Sequence, residues 1–247
     1  MITTVIIPAF NEERNIALTL SSLPREGIRP TVALNGTSDN TENIAIGFGV
    51  EVVETTEQGK LLAIQRVLKI LGQDALNPII ILDADTKPIF RNLWARNMVK
   101  GLRPETNSPS ATGGPVVFTN GKITEDSILT FRRARRTLKN DEVRLPQNGP
   151  NMSLYLQNSN VLDSILSLPN YWPGEDQAMN QVVLDHNGNY TASLNLSILA
   201  STPSSESYLS SRDRKQLGLE NARARVLEAY VSRGPKNTNP YNPFREF

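Results

Sequence analysis

The sequence predicts an α/β fold in which helices flank a mostly parallel central sheet. Two observations lead to this prediction. Short apolar runs of strand length, such as Thr3–Pro8 and Ile79–Leu82, alternate along the first hundred residues with longer runs whose apolar residues recur at helical spacing. Alternation at this spacing is typical of parallel strands joined by right-handed crossover connections.

The first two strands are each followed by a polar loop and a helix. Thr3–Pro8 ends at a proline, and the helix that follows has its apolar residues at Ile16, Leu18, Leu20 and Leu23. Thr31–Leu34 forms the second strand. It runs into Asn35–Thr41, a cluster of turn and capping residues that precedes a helix through Ile44 and Ile46.

Two further strands complete this half of the chain. Val50–Val53 is the third strand, and Gly59 and Lys60 then open a strongly periodic helix. The apolar residues of that helix lie on one side: Leu61, Ile64, Val67, Leu68 and Leu71. Ile79–Leu82 is apolar throughout, as expected for a central strand that is buried on both faces.

Composition excludes several classes of function. The 247 residues include 26 basic and 25 acidic side chains, so general attraction to nucleic acid or anionic lipid is not expected. The absence of cysteine excludes disulfides and thiol chemistry, and a single histidine, His186, disfavours a Ser-His-Asp triad. No apolar run approaches a membrane span and no basic leader opens the sequence, so we expect no transmembrane segment and a cytoplasmic protein.

Asp83 and Asp85 follow the most apolar strand directly. In open α/β sheets, ligands bind where the strands end at their carboxyl termini. Two carboxylates this close repel each other unless a cation lies beside them, and oxygen ligands suit Mg²⁺ or Mn²⁺, which would in turn accept a diphosphate. The alternative is structural, with Asp83 capping the next helix and Asp85 facing water.

Other polar side chains also follow strands and are expected on the same edge of the sheet: Asn11, Glu12, Asn35, Asp39 and Lys60. Neither Gly-x-Gly-x-x-Gly after the first strand nor Gly-x-x-x-x-Gly-Lys-Ser/Thr is present. A Rossmann dinucleotide enzyme and a P-loop nucleotidase are therefore both disfavoured.

Taken together, these segments resemble the family 2 glycosyltransferases, which have the GT-A fold. The matching segments are Val5–Glu13, Asn35–Thr41, Gly59–Lys60, Leu82–Asp85, Gly149–Ser153 and Trp172–Ala178. The resemblance implies a GT-A domain over residues 1–200 with a mixed, mostly parallel sheet. Residues 1–100 would bind the nucleotide-sugar and 101–200 the acceptor, and a C-terminal helix and irregular tail would occupy 201–247.

The family resemblance implies metal-dependent, inverting transfer from a nucleoside-diphosphate sugar. The implied donor site comprises Pro8, Ala9, Glu12, Asn35, Lys60, Asp83, Ala84 and Asp85. Lys60 would stand near the diphosphate, Asp83 would touch the ribose, and Asp85 would hold the Mn²⁺ or Mg²⁺. Asn35 and Leu34 depart from the family, which usually has an Asp at the position of Asn35 and often an acidic residue at that of Leu34. The amide of Asn35 can still accept and donate hydrogen bonds, so a base can bind there but its identity is left open.

On the acceptor side, the resemblance implies that Asp176 is the general base. The alternative for Glu175 and Asp176 is a structural one, as acids in the first turn of the helix Gln177–His186. Asn151 is expected to contact sugar hydroxyls, or else to belong to an ordinary loop before a strand. Trp172 is expected to stack on a sugar ring or to pack locally.

The acceptor itself is not encoded in any motif. Ala111–Phe118 reads as a strand and Ile123–Asn140 as a helix, and the arginines of that helix suit either a solvated face or an anionic acceptor such as a lipid-linked phosphate at a membrane surface. A glycan acceptor is equally open. After a polar break at Ser201–Ser205, Ser210–Ser232 reads as a helix that packs on the core, covers the donor or mediates a homodimer.

Two other functions remain open at this stage. A nucleotidyltransferase also combines an α/β sheet, a metal and a nucleotide, but a glycine- and arginine-rich loop after the first strand would be expected, and this chain has Pro8-Ala9-Phe10-Asn11-Glu12 there. A catalytically silent nucleotide-sugar-binding or scaffolding protein is the second alternative. The departures at Leu34 and Asn35 favour it, whereas Asp85 and Asp176 argue against it.

Overall fold

A computed structural model of the chain describes residues 2–102, 108–114, 116–119, 151–170, 175–192 and 200–203. The strands are β1 Thr3–Ala9, β2 Ile28–Asn35, β3 Glu51–Thr55, β4 Ile79–Leu82, β5 Lys87–Pro88, β6 Ser110–Gly113, β7 Val116–Thr119, β8 Asn151–Tyr155, β9 Asn189–Ala192 and β10 Ala200–Pro203. The helices are α1 Ile16–Ser22, α2 Thr41–Gly47, α3 Lys60–Leu71, α4 Arg91–Gly101, α5 Ser159–Leu166 and α6 Glu175–Asp185.

Within these residues, seven strands form the main sheet in the order β3-β2-β1-β4-β8-β6-β9. All neighbouring strands from β3 to β4 are parallel, β8 is antiparallel to both β4 and β6, and β9 is parallel to β6. A smaller sheet has the order β5-β10-β7. The predicted mixed, mostly parallel sheet is therefore confirmed.

The two central strands are buried on both faces, which explains why β4 is apolar throughout and β1 is apolar from Val5 to Ala9. Val5, Ile7, Ile80 and Leu82 pack on one face with residues of α1, α2 and α4. Ile6, Ile79 and Ile81 pack on the other with residues of α3, α5 and α6. The carboxyl ends of these strands then carry the chain out of the core, at the edge where polar side chains can meet a ligand.

Two apolar residues of the predicted helices are exposed rather than buried. Leu18 in α1 is 52% exposed and Ile46 in α2 is 56% exposed. A residue two positions along a helix lies about 200° around its axis. Leu18 therefore points away from the face on which Ile16 and Leu20 are buried.

The predicted strand Ala111–Phe118 is two strands in the structure. β6 belongs to the main sheet and β7 to the smaller one. The chain leaves the main sheet at Gly114, whose N–H donates to the Asn151 carbonyl over 2.8 Å. The predicted polar break after residue 200 is also corrected, because β10 pairs with both β5 and β7 there.

Two predicted helices, Ile123–Asn140 and Ser210–Ser232, lie outside the described residues. The same is true of Trp172. In the part of the chain that the structure describes, no helix is long and apolar enough to cross a bilayer.

Candidate active site

A cavity of about 540 Å³ opens where β1, β2 and β4 end and α3 begins. Its lining consists of Pro8, Ala9, Phe10, Glu12, Asn35, Gln58, Gly59, Lys60, Asp83, Ala84, Asp85 and Asn170. All eight residues predicted for the donor site are in this lining. Parallel neighbouring strands explain the convergence, because their carboxyl ends meet at one edge of the sheet.

Four lining residues were not among the eight predicted for the donor site: Phe10, Gln58, Gly59 and Asn170. Phe10, Gln58 and Gly59 lie within two residues of predicted ones. Asn170 follows α5 and reaches the cavity only through the tertiary fold, so nothing near it in the sequence indicates its position.

Carboxylates concentrate at the end of the cavity near β4. Burial raises the pKa of Glu12 to about 7, against the hydrogen bond that Asn15 donates over 2.9 Å, and the charges of Asp85 and Asp83 raise it further. Negative charge gathered in this way is stabilised by a bound cation. This end of the cavity therefore suits a metal ion better than a free anion.

The described residues hold no preformed metal cage, since no group of three His, Asp or Glu side chains is placed to enclose an ion. Mg²⁺ is commonly bound by one or two carboxylates together with the phosphates of a substrate. Asp85, which lines the cavity beside Asp83 and Glu12, fits that mode of binding. The residues present are thus compatible with a metal that arrives with a diphosphate.

Asp39 lies at the same edge of the sheet but is used to hold two loops together. Its carboxylate accepts hydrogen bonds from the Glu13 N–H over 3.0 Å and from the hydroxyl and N–H of Thr41. The Thr41 hydroxyl also accepts from the Glu12 N–H over 2.8 Å. These bonds fix the loop after β1 against the start of α2, and they place Glu12 in the cavity.

Asn35 and Gly59 meet in the cavity wall where β2 ends and α3 begins. The Gly59 N–H donates to Asn35 Oδ1, and the Asn170 Nδ2 donates to the Gln58 carbonyl over 2.9 Å. Gly59 has φ +154°, and a Cβ there would lie 2.2 Å from Asn170 Oδ1. Glycine is therefore required where α3 begins, because any side chain would displace Asn170 from the cavity wall.

Lys60, the first residue of α3, is surrounded by carboxylates. Its Nζ lies 2.7 Å from Asp83 Oδ1, 2.9 Å from Glu175 Oε1 and 3.7 Å from Asp176 Oδ1. The side chain is only 17% exposed. Burial alone would lower the pKa of Lys60, but these three carboxylates raise it well above its ordinary value. Lys60 therefore lines the predicted donor cavity while its ammonium is held between the cavity and the start of α6.

Glu175 and Asp176 occupy the first turn of α6, as the structural alternative predicted, and both also contact Lys60. Burial raises the pKa of Asp176 to about 7, Lys60 opposes this rise, and Glu175 and Asp83 add to it. A carboxyl group with a pKa near neutrality can exchange a proton at neutral pH. Asp176 is not part of the cavity lining and lies behind Lys60.

Asn151, the residue expected to contact sugar hydroxyls, does not line the cavity. Asn151 is completely buried, and its Oδ1 accepts a hydrogen bond from Trp94 Nε1 over 3.0 Å. The register explains its direction: Asn151 pairs with Leu82, and both face the side of the sheet on which Trp94 packs. Trp172, which is expected to stack on a sugar ring or to pack locally, lies outside the described residues.

The chain matches the model of a known protein family. The model of the family described as Glycosyl transferase family 2 matches residues 4–152 of the 247. No curated protein matches the chain in sequence.

Solved structures share the fold. Glucosyl-3-phosphoglycerate synthase from Mycobacterium tuberculosis, in complex with Mn²⁺, UDP-glucose and phosphoglyceric acid, aligns with a TM-score of 0.57 at 17% identity, over 96% of this chain and 81% of that one. The same protein with Mg²⁺ and UDP gives a TM-score of 0.59 at 17% identity, over the same shares of the two chains. The sheet and its flanking helices are thus those of the predicted GT-A fold. Since the family model also covers more than half of the chain, the protein belongs to glycosyl transferase family 2.

Proposed function

We propose that this protein transfers a sugar from a nucleoside-diphosphate sugar to an acceptor hydroxyl, with a divalent metal and with inversion at the anomeric carbon. The proposal rests on one observation: all eight predicted donor residues line one cavity, at the edge of the sheet where β1, β2 and β4 end. Membership of family 2 supports the reaction class.

In this proposal the carboxylate end of the cavity receives the diphosphate. Asp85 would hold Mn²⁺ or Mg²⁺, the metals that accompany UDP in the M. tuberculosis synthase. When bound, the metal would neutralise the charge that grows on the departing diphosphate. Asp83 would face the ribose, and Glu12 would lie against the nucleoside beside Pro8 and Ala9.

Lys60 is best understood as a positioning residue in this scheme. Because its ammonium already contacts Asp83 and Glu175, it has less freedom to follow a diphosphate than the family resemblance implies. Instead it would hold the loop after β4 at a fixed distance from the first turn of α6. The Lys60 ammonium would then keep the donor-site residues after β4 at a fixed distance from the proposed base in α6.

Asp176 is the proposed general base. The acceptor oxygen would attack the anomeric carbon from the face opposite the diphosphate, its proton would pass to Asp176, and the bond between the anomeric carbon and the phosphate oxygen would break. A single displacement of this kind inverts the configuration and requires no covalent intermediate. The pKa near 7 that burial gives Asp176 supports this assignment.

The acceptor is proposed only as a class. The synthase with the same fold was crystallised with phosphoglyceric acid, a small anionic acceptor, and the arginines of the predicted helix Ile123–Asn140 would suit an anion. A glycan or a lipid-linked phosphate would also present the hydroxyl that the reaction needs.

The first test measures thermal stability with UDP, CDP, ADP, GDP and dTDP, each with Mn²⁺, Mg²⁺ or a chelator. The expected result is a rise in Tm with at least one nucleotide that requires metal and is lost in Asp85→Ala. Asp163→Ala, on the exposed side of α5, is the matched control and should keep the rise. A protein that shows no shift with any nucleotide would contradict the proposed donor site.

Turnover separates the enzyme from a silent binding protein. Release of free sugar from the preferred donor, with water as acceptor, should be detectable in the wild type and greatly reduced in Asp176→Asn. Nucleotide binding without any turnover, with water or with a panel of acceptors, would favour the silent alternative.

A further inference from the structure

A residue of α1 is hydrogen-bonded to the turn that carries the cavity carboxylates. Thr19, in the middle of this helix, is completely buried, and its hydroxyl donates to the Ala84 carbonyl over 2.7 Å. Ala84 lies between Asp83 and Asp85, and all three residues line the cavity. Thr19 itself is not part of the lining. A core residue outside the cavity is thus bonded to the backbone of the proposed metal site.

The packing of α1 does not require a hydroxyl at this position. Ile16 and Leu20, on the same face of the helix, belong to the apolar cluster that also contains Ala84. Valine has the branched shape of threonine and would fill the position without burying a polar group. A threonine hydroxyl inside a helix commonly bonds to the carbonyl one turn back, but that of Thr19 bonds to a distant segment of the chain. The hydroxyl therefore contributes to the turn and not to the helix.

The Ala84 carbonyl depends on this donor. β4 ends at Leu82, and its ladders with β1 and β8 do not extend to Ala84. Ala84 is only 3% exposed, which leaves little access for water. Without the Thr19 hydroxyl, this buried carbonyl would have no hydrogen-bond donor among the described residues.

The other bonds of the turn direct Asp85. The Thr86 N–H donates to the Asp83 carbonyl over 2.9 Å, and the Thr86 hydroxyl donates to Asp85 Oδ1 over 3.3 Å. An unpaired Ala84 carbonyl would reach water only if the peptide between Ala84 and Asp85 rotated. Because that peptide leads directly into Asp85, the rotation would change the direction of the carboxylate.

We propose that Thr19 is a positioning residue for the metal and the diphosphate. Its hydroxyl holds the Ala84 peptide in the one orientation that directs Asp85 into the cavity. A site that is already ordered in this way loses less free energy when its ligand binds. The inference rests on the proposed function, because it concerns the same donor site.

Thr19→Val removes the hydroxyl and keeps the branched shape of the side chain. If the cost of the unpaired carbonyl leaves the turn in its binding geometry for about a tenth of the time, the apparent affinity falls about tenfold. Since Asp85 is the proposed metal ligand, the loss should appear chiefly when metal is present. The quantity to measure is therefore the Mn²⁺ factor, the affinity for a nucleotide with Mn²⁺ divided by its affinity with a chelator.

The experiment is calorimetric titration of UDP, CDP, ADP, GDP and dTDP, each with Mn²⁺ or EDTA, into the wild type and three variants. For the nucleotide that binds most tightly, the Mn²⁺ factor should fall about tenfold in Thr19→Val. Thr19→Ser keeps the hydroxyl and should keep the factor of the wild type. Thr31→Val is the matched control, because Thr31 is also buried and its hydroxyl donates to Glu51 Oε2 over 3.2 Å, away from the cavity.

The outcomes separate this inference from the proposed function. A wild-type Mn²⁺ factor in Thr19→Val, or an equal loss in Thr19→Val and Thr19→Ser, would overturn the role of the hydroxyl while the donor site stands. A wild type that binds no nucleotide, or binds equally well with Mn²⁺ and with EDTA, would overturn both. If Thr19→Val does not fold, Thr19→Ala takes its place, because alanine and serine both lack the methyl group of threonine and differ only in the hydroxyl.

Discussion

Glu12, a single residue of the cavity, makes the stability of the protein depend on pH. Its pKa is raised from 4.5 to about 7, chiefly by burial. Between these two values the folded protein binds more protons than the unfolded chain does. The free energy of unfolding must therefore decrease as the pH rises through this range. Asp176, whose pKa burial also raises to about 7, acts in the same direction.

We expect Glu12→Gln to lose less stability than the wild type between pH 5 and pH 8 in the presence of a chelator. Glutamine keeps an oxygen that can accept from Asn15 but cannot ionise. Urea unfolding at the two pH values measures the difference. Glu42→Gln, on the exposed surface of α2, should behave as the wild type does. An equal loss of stability in Glu12→Gln and the wild type would contradict the assignment.

Lys60 and Glu175 should shift the pH dependence of catalysis in opposite directions. Lys60 lowers the pKa of Asp176 and Glu175 raises it. If Asp176 is the base, donor hydrolysis increases as the pH rises through about 7. Lys60→Met should move this increase to higher pH, and Glu175→Gln should move it to lower pH.

A pH profile of kcat for each variant, with Lys100→Met as an exposed control, makes this measurement. Two shifts in the same direction would show that the variants act through general damage rather than through the charge near Asp176. A profile with no limb near neutrality would argue against Asp176 as the base.

The sequence identified residues of the cavity when they lie at the end of a strand or just after it. Pro8, Asn35 and Asp85 are of this kind, since the end of an apolar run predicts where a parallel strand leaves the core. Asn170 was not predictable, because it reaches the cavity from a segment far away in the sequence. The direction of the Asn151 side chain was also unpredictable, as it depends on the pairing register with β4.

At the scale of elements, α3 and α5 are joined by one buried side chain. Gln65 Nε2 donates to the carbonyls of Ile165 over 2.8 Å and of Leu168 over 2.9 Å, at the end of α5. Asn170 follows two residues later and forms part of the cavity wall. The core contact between these helices therefore also positions a residue of the site.

Gln65→Leu should destabilise the protein by about 2 kcal/mol, because two buried carbonyls lose their donor while the side-chain volume is nearly kept. Nucleotide affinity should decrease as well, since the end of α5 supports Asn170. Urea unfolding and nucleotide titration measure the two effects. Gln73→Leu, at an exposed position, is the control. Unchanged stability in Gln65→Leu would mean that these hydrogen bonds contribute little.

The elements that sequence predicted best are those with a single hydrophobic pattern. β1 and β4 are apolar on both faces, and α3 has one continuous apolar side. The division between β6 and β7 was missed although Gly113-Gly114-Pro115 is a turn signal, because such a signal does not show that the chain passes to another sheet. Just past β6, the Gly114 N–H still donates to the Asn151 carbonyl of β8, a long-range contact that no local pattern indicates.

At the scale of the whole molecule, β8 joins the two predicted halves of the domain. It comes from the half assigned to the acceptor and pairs with β4, which carries Asp83 and Asp85 at its end. Trp94 of α4 packs at this junction, completely buried, and donates to Asn151 at the start of β8. The sheet is thus continuous from β3 to β9, and the core cluster on its α3 face contains residues of both halves.

We therefore expect the two halves to unfold in one cooperative transition. Trp172→Phe leaves Trp94 as the only tryptophan, so that fluorescence reports on the junction alone. Its urea midpoint should coincide with the midpoint from far-ultraviolet circular dichroism, which reports on all helices and strands. If the nucleotide-binding half were an independent domain, circular dichroism would show a second step. Trp94 packs among residues of the nucleotide-binding half, so its fluorescence would then follow only one of the two steps.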